Sequence, residues 1–175
     1  DIELEEGVSY NIEIEYQNSL SDPQAHLLWA KLDDDLLITA IEAVKKSEVV
    51  VLCLGLSPEI EGEEMPVKLE GFDKGDRTEL SLPNVQIELM KKIKALGKPT
   101  VLVLMNGSAL AVNWAADNVP AILEAWYPGE FGGRAIADIL FGDYNPGGKL
   151  PVTFYKSVTD LPDFKDYSMA NRTYK

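Results

Sequence analysis

Cysteine and histidine are almost missing from this sequence: Cys53 and His26 are the only ones among 175 residues. A single cysteine forms no internal disulfide, so the redox compartment stays open, and its place inside an apolar run marks Cys53 as a small buried hydrophobe. Neither a thiolate metal cluster nor a His-rich site can be assembled from such a pair. A histidine-dependent nucleophilic triad is disfavoured too, because His26 falls in a strand-like hairpin. Basic residues are scarce as well, 16 against 29 acidic ones for a net charge of -13. Without a Lys/Arg stripe, nucleic acid and anionic membrane surfaces drop out as partners. No apolar run approaches the ~20 residues of a membrane span. The opening Asp1-Ile2-Glu3-Leu4-Glu5 is unlike a signal peptide and reads as a domain cut. Internal repeats and low-complexity tracts are absent, and no strand leads into a GxGxxG or GxxxxGK pattern, the fingerprints of nucleotide binding.

What is present is an ordinary globular composition, 46% hydrophobic and 26% charged, enough for one good core and a small appendage. Residues 1–31 form the appendage. Tyr10, Ile12, Ile14 and Tyr16 alternate with polar neighbours, the pattern of a half-buried strand, and a polar turn leads to a second strand at 25–30. A two-stranded ribbon holds no core by itself. Either it packs on the domain C-terminal to it or it is the tail of a truncated one.

From residue 32 onward helices and strands alternate. Leu37, Ala40, Ile41 and Val44 share a helical face, with Asp33 to Asp35 suited to its start and Lys45 and Lys46 to its end. Val49 to Leu54 reads as a parallel strand buried on both faces. Ser81 is placed to cap the next helix, with Pro83 in its first turn and Val85, Leu89, Ile93 and Leu96 as its buried stripe. An i,i+4 pair, Glu88 with Lys92, supports that helix. Apolar strands follow at 100–105 and 121–126, then a helix over 130–140, and Asn145-Pro146-Gly147-Gly148 turns the chain into 149–154. This order predicts an α/β fold, a largely parallel sheet flanked by helices, with a short N-terminal antiparallel ribbon. The tail from 157 reads as a surface-wrapping segment.

In such a sheet ligands bind outside the carboxyl ends of the strands. After Val49 to Gly55 comes a loop that carries Glu59, Glu61, Glu63 and Glu64 and closes at Gly75-Asp76-Arg77. The position marks the chemistry, and the residues alone do not choose among the four glutamates. Asp76 and Arg77 suit an ion pair pinning the loop, with ligand contact by Arg77 as the alternative. Trp126 and Tyr127 sit at a strand end, placed either to stack on a ligand ring or to pack in the core.

Several segments resemble glycoside hydrolase family 3, in its second, α/β-sandwich domain. They are Ile60-Glu61-Gly62-Glu63, Gly75-Asp76-Arg77-Thr78 with Leu80-Ser81-Leu82-Pro83, Pro120 through Glu130, Gly132-Gly133, and Phe141 through Pro151. Together they cover roughly residues 33–165. The first strands, Leu4 to Tyr16 and Leu27-Leu28-Trp29, are similar to the end of a protective-antigen-type sugar-binding β-sandwich inserted in some members. The implied division is 1–31 as the tail of that insert and 32–175 as the sandwich domain of a larger enzyme.

The resemblance implies a retaining β-glycosidase acting on terminal β-xylosides or β-glucosides, oligosaccharide or aryl and alkyl, with no cofactor and no metal. The nucleophilic aspartate would belong to a barrel domain of the same polypeptide, absent from this chain. This domain would supply the general acid/base, which the motif places at Glu61, with Glu59 and Glu63 as near alternatives. Arg77 and Trp126 are the weaker candidates for substrate contact. The implied compartment is periplasmic or secreted, and the isolated fragment is expected to be inactive. As a general acid, Glu61 would need its proton affinity raised by burial or neighbouring negative charge. The competing reading is a non-catalytic carbohydrate-binding or interaction module.

Overall fold

The structure, a computed structural model, describes residues 5, 7–13, 36–67, 69–168 and 170. They belong to two compact units, Asp1–Asp34 and Asp35–Lys175. In the first, the strand predicted from residue 10 onward does not form over residues 8–13. The backbone turns instead at Gly7 (φ 81°), the Val8 amide bonds the Glu5 carbonyl, and Tyr10 and Ile12 stay exposed. His26 and the remaining predicted ribbon lie outside the described residues, as do Asp33 to Asp35.

The second unit is built on three parallel strands, β1 (Val50–Gly55), β4 (Thr100–Met105) and β5 (Ala121–Glu124), in the order β1-β4-β5. Register runs Val50 beside Thr100 to Gly55 beside Met105, then Val101 beside Ala121 to Leu104 beside Glu124. The carboxyl ends of all three strands therefore meet at one edge. Among the described residues four α-helices accompany them, α1 (Leu36–Lys45), α2 (Asn84–Lys94), α3 (Asn113–Asn118) and α4 (Gly132–Leu140), with a short 3-10 turn at Val158–Asp160. Between β1 and α2 a two-stranded antiparallel hairpin, β2 (Phe72–Asp73) and β3 (Asp76–Arg77), interrupts the acidic loop.

The central strand is sealed on both faces, with Leu102, Val103 and Leu104 at most 1% exposed. β1, at the sheet edge, alternates instead. Val50, Leu52 and Leu54 point into a core shared with Val44 of α1 and Met90 and Ile93 of α2, while Val51 and Cys53 are exposed. Burial on both faces, predicted for this strand and for its cysteine, thus holds only for β4, which has a neighbour on each side.

Ser81 does not cap α2. It bridges to Ala111, and Pro83 occupies the cap position without a side-chain bond. Of the predicted stripe, Ile93 is buried and Leu89 and Leu96 pack partly buried against the core, joined by Met90, while Val85 in the first turn is 75% exposed. Glu88 meets Lys91 at 2.9 Å rather than Lys92. β5 stops at Glu124, two residues early, and 149–154 forms no strand. α3, six residues long, is too short to show periodicity in sequence.

Candidate active site

The loop after β1 is fixed at its root. Gln86 of α2 presents its amide to Gly55 as a neighbouring strand would, donating to the carbonyl at 2.8 Å and accepting the N–H at 2.9 Å. The Ser57 carbonyl then accepts the amides of Ile60 and Glu61, at 3.0 and 3.1 Å. That turn carries Glu61 back over the sheet edge. Farther on, the hairpin folds the loop onto itself. Gly75 lies so close to Gly62 that a Cβ there would sit 1.5 Å from the Gly62 oxygen, and the Met65 amide donates to the Lys74 carbonyl at 2.8 Å.

Two further strand ends deliver donors to the Glu61 carboxylate. After β4, the Asn106 amide holds the Ser108 carbonyl at 2.8 Å and turns the chain so that the Gly107 N–H reaches Glu61 Oε2 at 2.8 Å. The Ser108 hydroxyl donates to Oε1. After β5, Trp126 adopts φ 54° with its N–H on Glu124 Oε1 at 3.0 Å, and the Tyr127 hydroxyl donates to Glu61 Oε2. Arg77 Nη1 stands 3.7 Å from Oε1. The Glu61 side chain is only 8% exposed.

Burial pushes the Glu61 carboxyl up, but the hydrogen bonds from Ser108, Tyr127 and Gly107, with the charge of Arg77, outweigh it and hold the group below the usual carboxylate range. The raised proton affinity expected of a general acid is therefore not present at Glu61 in this domain, because hydrogen bonds to the charged form win over desolvation. Tyr127 is displaced the other way, upward, by burial and by its bond to the Glu61 carboxylate.

Arg77 does not pair with Asp76. Its Nε donates to the Glu79 carbonyl at 2.9 Å, Nη1 to Ser108 Oγ at 2.9 Å and Nη2 to the Ser81 carbonyl at 3.2 Å, and the guanidinium lies 5.4 Å from the Phe72 ring centroid. The guanidinium thus ties the loop on several sides while Arg77 still lines the cleft beside Glu61. Trp126 is turned away. Its ring packs edge-on against Phe154 at 5.8 Å and lines a different cavity, while Tyr127 lines the cleft with Glu61.

Of the loop's other glutamates, Glu63 is exposed on the rim of that same cleft, and Glu59 is exposed but outside it. Sequence reasoning gave Gly107 and Ser108 no role in the site, and left Tyr127 between stacking on a ring and packing in the core. The signal was available in part: both segments follow strands of the same parallel sheet as β1, so their first residues belong at one edge. Among the described residues no group of three or more His, Cys, Asp or Glu is placed to hold a metal ion. Nor is any described helix long and apolar enough to cross a membrane.

Residues 4–175 match the model of the glycosyl hydrolase family 3 C-terminal domain. A xylan 1,4-beta-xylosidase of Xylanibacter ruminicola is 46% identical over 180 residues, covering 99% of this chain and 20% of that protein. A periplasmic beta-glucosidase of Salmonella typhimurium is 42% identical over 135 residues, 77% of this chain and 16% of its own length. Among solved structures, a beta-glucosidase from Listeria innocua in complex with glucose superposes with a TM-score of 0.64 at 35% identity, covering 75% of this chain and 17% of that one. The chain thus spans a fifth or less of the length of these relatives.

Proposed function

The chain belongs to glycosyl hydrolase family 3 as a C-terminal domain, and from that membership we propose that it supplies the proton-transferring carboxyl of a retaining β-glycosidase. The nucleophilic aspartate is assigned to a barrel domain of the same polypeptide. The substrates are terminal non-reducing β-D-xylosides or β-D-glucosides, in keeping with relatives named for either sugar. The parent enzyme works in the periplasm or outside the cell.

One observation carries the reading: a buried carboxylate, gripped by three donors and backed by an arginine, fixes an acidic loop in an open cleft at the carboxyl edge of the sheet. Retaining hydrolysis sets two carboxyls ~5 to 5.5 Å apart. The nucleophile attacks the anomeric carbon while the other carboxyl protonates the departing glycosidic oxygen. That second group, now a carboxylate, takes a proton from water, whose oxygen attacks the anomeric carbon and releases the sugar. The group must therefore pass a proton in both directions.

Glu61 is gripped as a carboxylate, which suits an anchor. Glu63, two residues on, is exposed and lines the same cleft. We assign proton transfer to Glu63 and loop anchoring to Glu61. Glu61 serves as the acid itself only if its donors let go, or if the arriving nucleophile carboxylate offsets them.

Leaving-group dependence in the full-length parent separates the two. E63Q is expected to lose about 10²- to 10⁴-fold on substrates with poor leaving groups, to spare activated aryl glycosides, and to yield a β-glycosyl azide when azide is added. E61Q is expected to lower both substrate classes alike. The opposite pattern assigns proton transfer to Glu61. Normal cleavage of poor leaving groups by both variants removes the catalytic assignment from this loop.

A further inference from the structure

The three donors that grip Glu61 stand on two turns, and a polar pair, buried Asn106 and half-buried Glu124, lies behind both. Asn106 is fully buried and directly precedes Gly107 and Ser108, and its Nδ2 holds the Ser108 carbonyl. Glu124 ends the neighbouring strand. Its Oε1 accepts the Trp126 N–H, in the left-handed turn (φ 54°) from which Tyr127 returns to Glu61. Glu124 stands beside Leu104 in the register, two residues before Asn106, so the two turns rise from adjoining strand ends with these side chains at their base.

We propose that Glu124 and Asn106 are positioning residues, a strut that sets Gly107, Ser108 and Tyr127 at the spacing that grips Glu61. This rests on the reading of the cleft as a glycosidase half-site. Two features mark the pair as more than ordinary packing. Asn106 Oδ1 and Glu124 Oε2 are both buried with no partner in the protein, a state costly enough to call for an explanation in a native fold. And the left-handed conformation of Trp126 is one that a bulky side chain adopts only when its surroundings impose it. Removing the strut frees both turns at once, although neither strut residue lines the cleft with Glu61.

Burial pushes the Glu124 carboxyl above its ordinary range, against the Trp126 N–H and the Asn106 amide, which pull it down. In its neutral form the side chain has the shape and charge of glutamine. This supplies a conservative replacement: glutamine keeps a carbonyl for the Trp126 N–H and puts an amide where Oε2 stands.

The test uses the full-length parent enzyme with E124A, E124Q and N106A. Hydrogen–deuterium exchange is read on peptides spanning 106–108 and 125–128, and kcat and KM are measured on an aryl β-xyloside and an aryl β-glucoside. E124A is expected to speed exchange at both turns and to lower kcat roughly tenfold to a hundredfold, with KM moving less. N106A is expected to do the same, and the double variant to be no worse than either, since both remove one support. E124Q is expected to restore slow exchange and most of kcat. Faster exchange confined to 125–128 in E124A, additive losses in the double variant, or an E124Q as impaired as E124A would each overturn the strut. Should E124A fail to fold, N106S takes its place in the comparison. A parent without β-glycosidase activity would defeat the functional reading alone, because the exchange measurement needs no substrate and still decides the strut.

Discussion

Glu61 shows how a carboxylate at a strand end becomes an anchor. Hydrogen bonds to a charged, buried group contribute about 1.5 to 3 kcal/mol, and the 8% exposure of this side chain leaves little water to screen them. E61Q is therefore expected to lower the stability of the domain by about 2 kcal/mol at pH 7. The folded carboxyl titrates below its ordinary 4.5, so its contribution is complete above the unfolded value and fades as pH falls through the folded one. Urea melts at pH 7, 5 and 3 should show the gap between wild type and E61Q closing only at the acid end. A gap independent of pH would mean that the charge is not what matters. Gly107 offers a second check. A Cβ there would lie 2.8 Å from Tyr127 Cε2 and 3.3 Å from Glu61 Oε2, so G107A displaces the tyrosine. The expected loss is roughly tenfold or more in kcat/KM of the parent, with a small shift in melting temperature. The position of Glu61 was legible in the sequence because the loop follows an apolar strand. Its grip was not, because the donors come from 46, 47 and 66 residues away. No local pattern records such a meeting.

Among the elements, the strands and the loop–helix alternation were readable because continuous apolar runs and Gly/Pro punctuation are local signals. Which face each element buries was less so. β1 and β4 have similar compositions, yet only β4 has a partner on each side, and neighbours are a property of the sheet rather than of the strand. The stripe of α2 was readable at Leu89, Ile93 and Leu96, which pack on the core, and failed at Val85 and at the serine cap, since Ser81 is bridged to Ala111 instead. The most consequential tie between elements is one that the sequence does not announce, the reach of Gln86 from α2 to both backbone groups of Gly55. Q86A removes two hydrogen bonds at the root of the acidic loop and is expected to cost about 1 to 3 kcal/mol. The urea midpoint of the isolated domain measures it, and an unchanged midpoint would show that Gly55 needs no such support.

At the scale of the whole molecule, the chain carries large side chains in the open. Phe131, Phe141, Phe164 and Tyr167 are 70 to 90% exposed, aromatic faces open to a hydrophobic probe. The isolated chain is expected to bind a hydrophobic dye such as anilinonaphthalene sulfonate and to hydrolyse no aryl β-glycoside. Turnover by the isolated chain that E61Q and E63Q both abolish would show that no barrel is required. The family was legible because its motifs sit at strand ends and turns, where backbone geometry restricts the residues allowed. The apposition of Gly62 and Gly75 has one more consequence. With the two ends of the intervening segment held together, residues 69–73 ride as a cassette outside the cleft, Leu69 to Phe72 lining a neighbouring cavity instead. Exchanging that cassette between relatives is expected to change the neighbouring cavity while the carboxylates of the cleft stay in register.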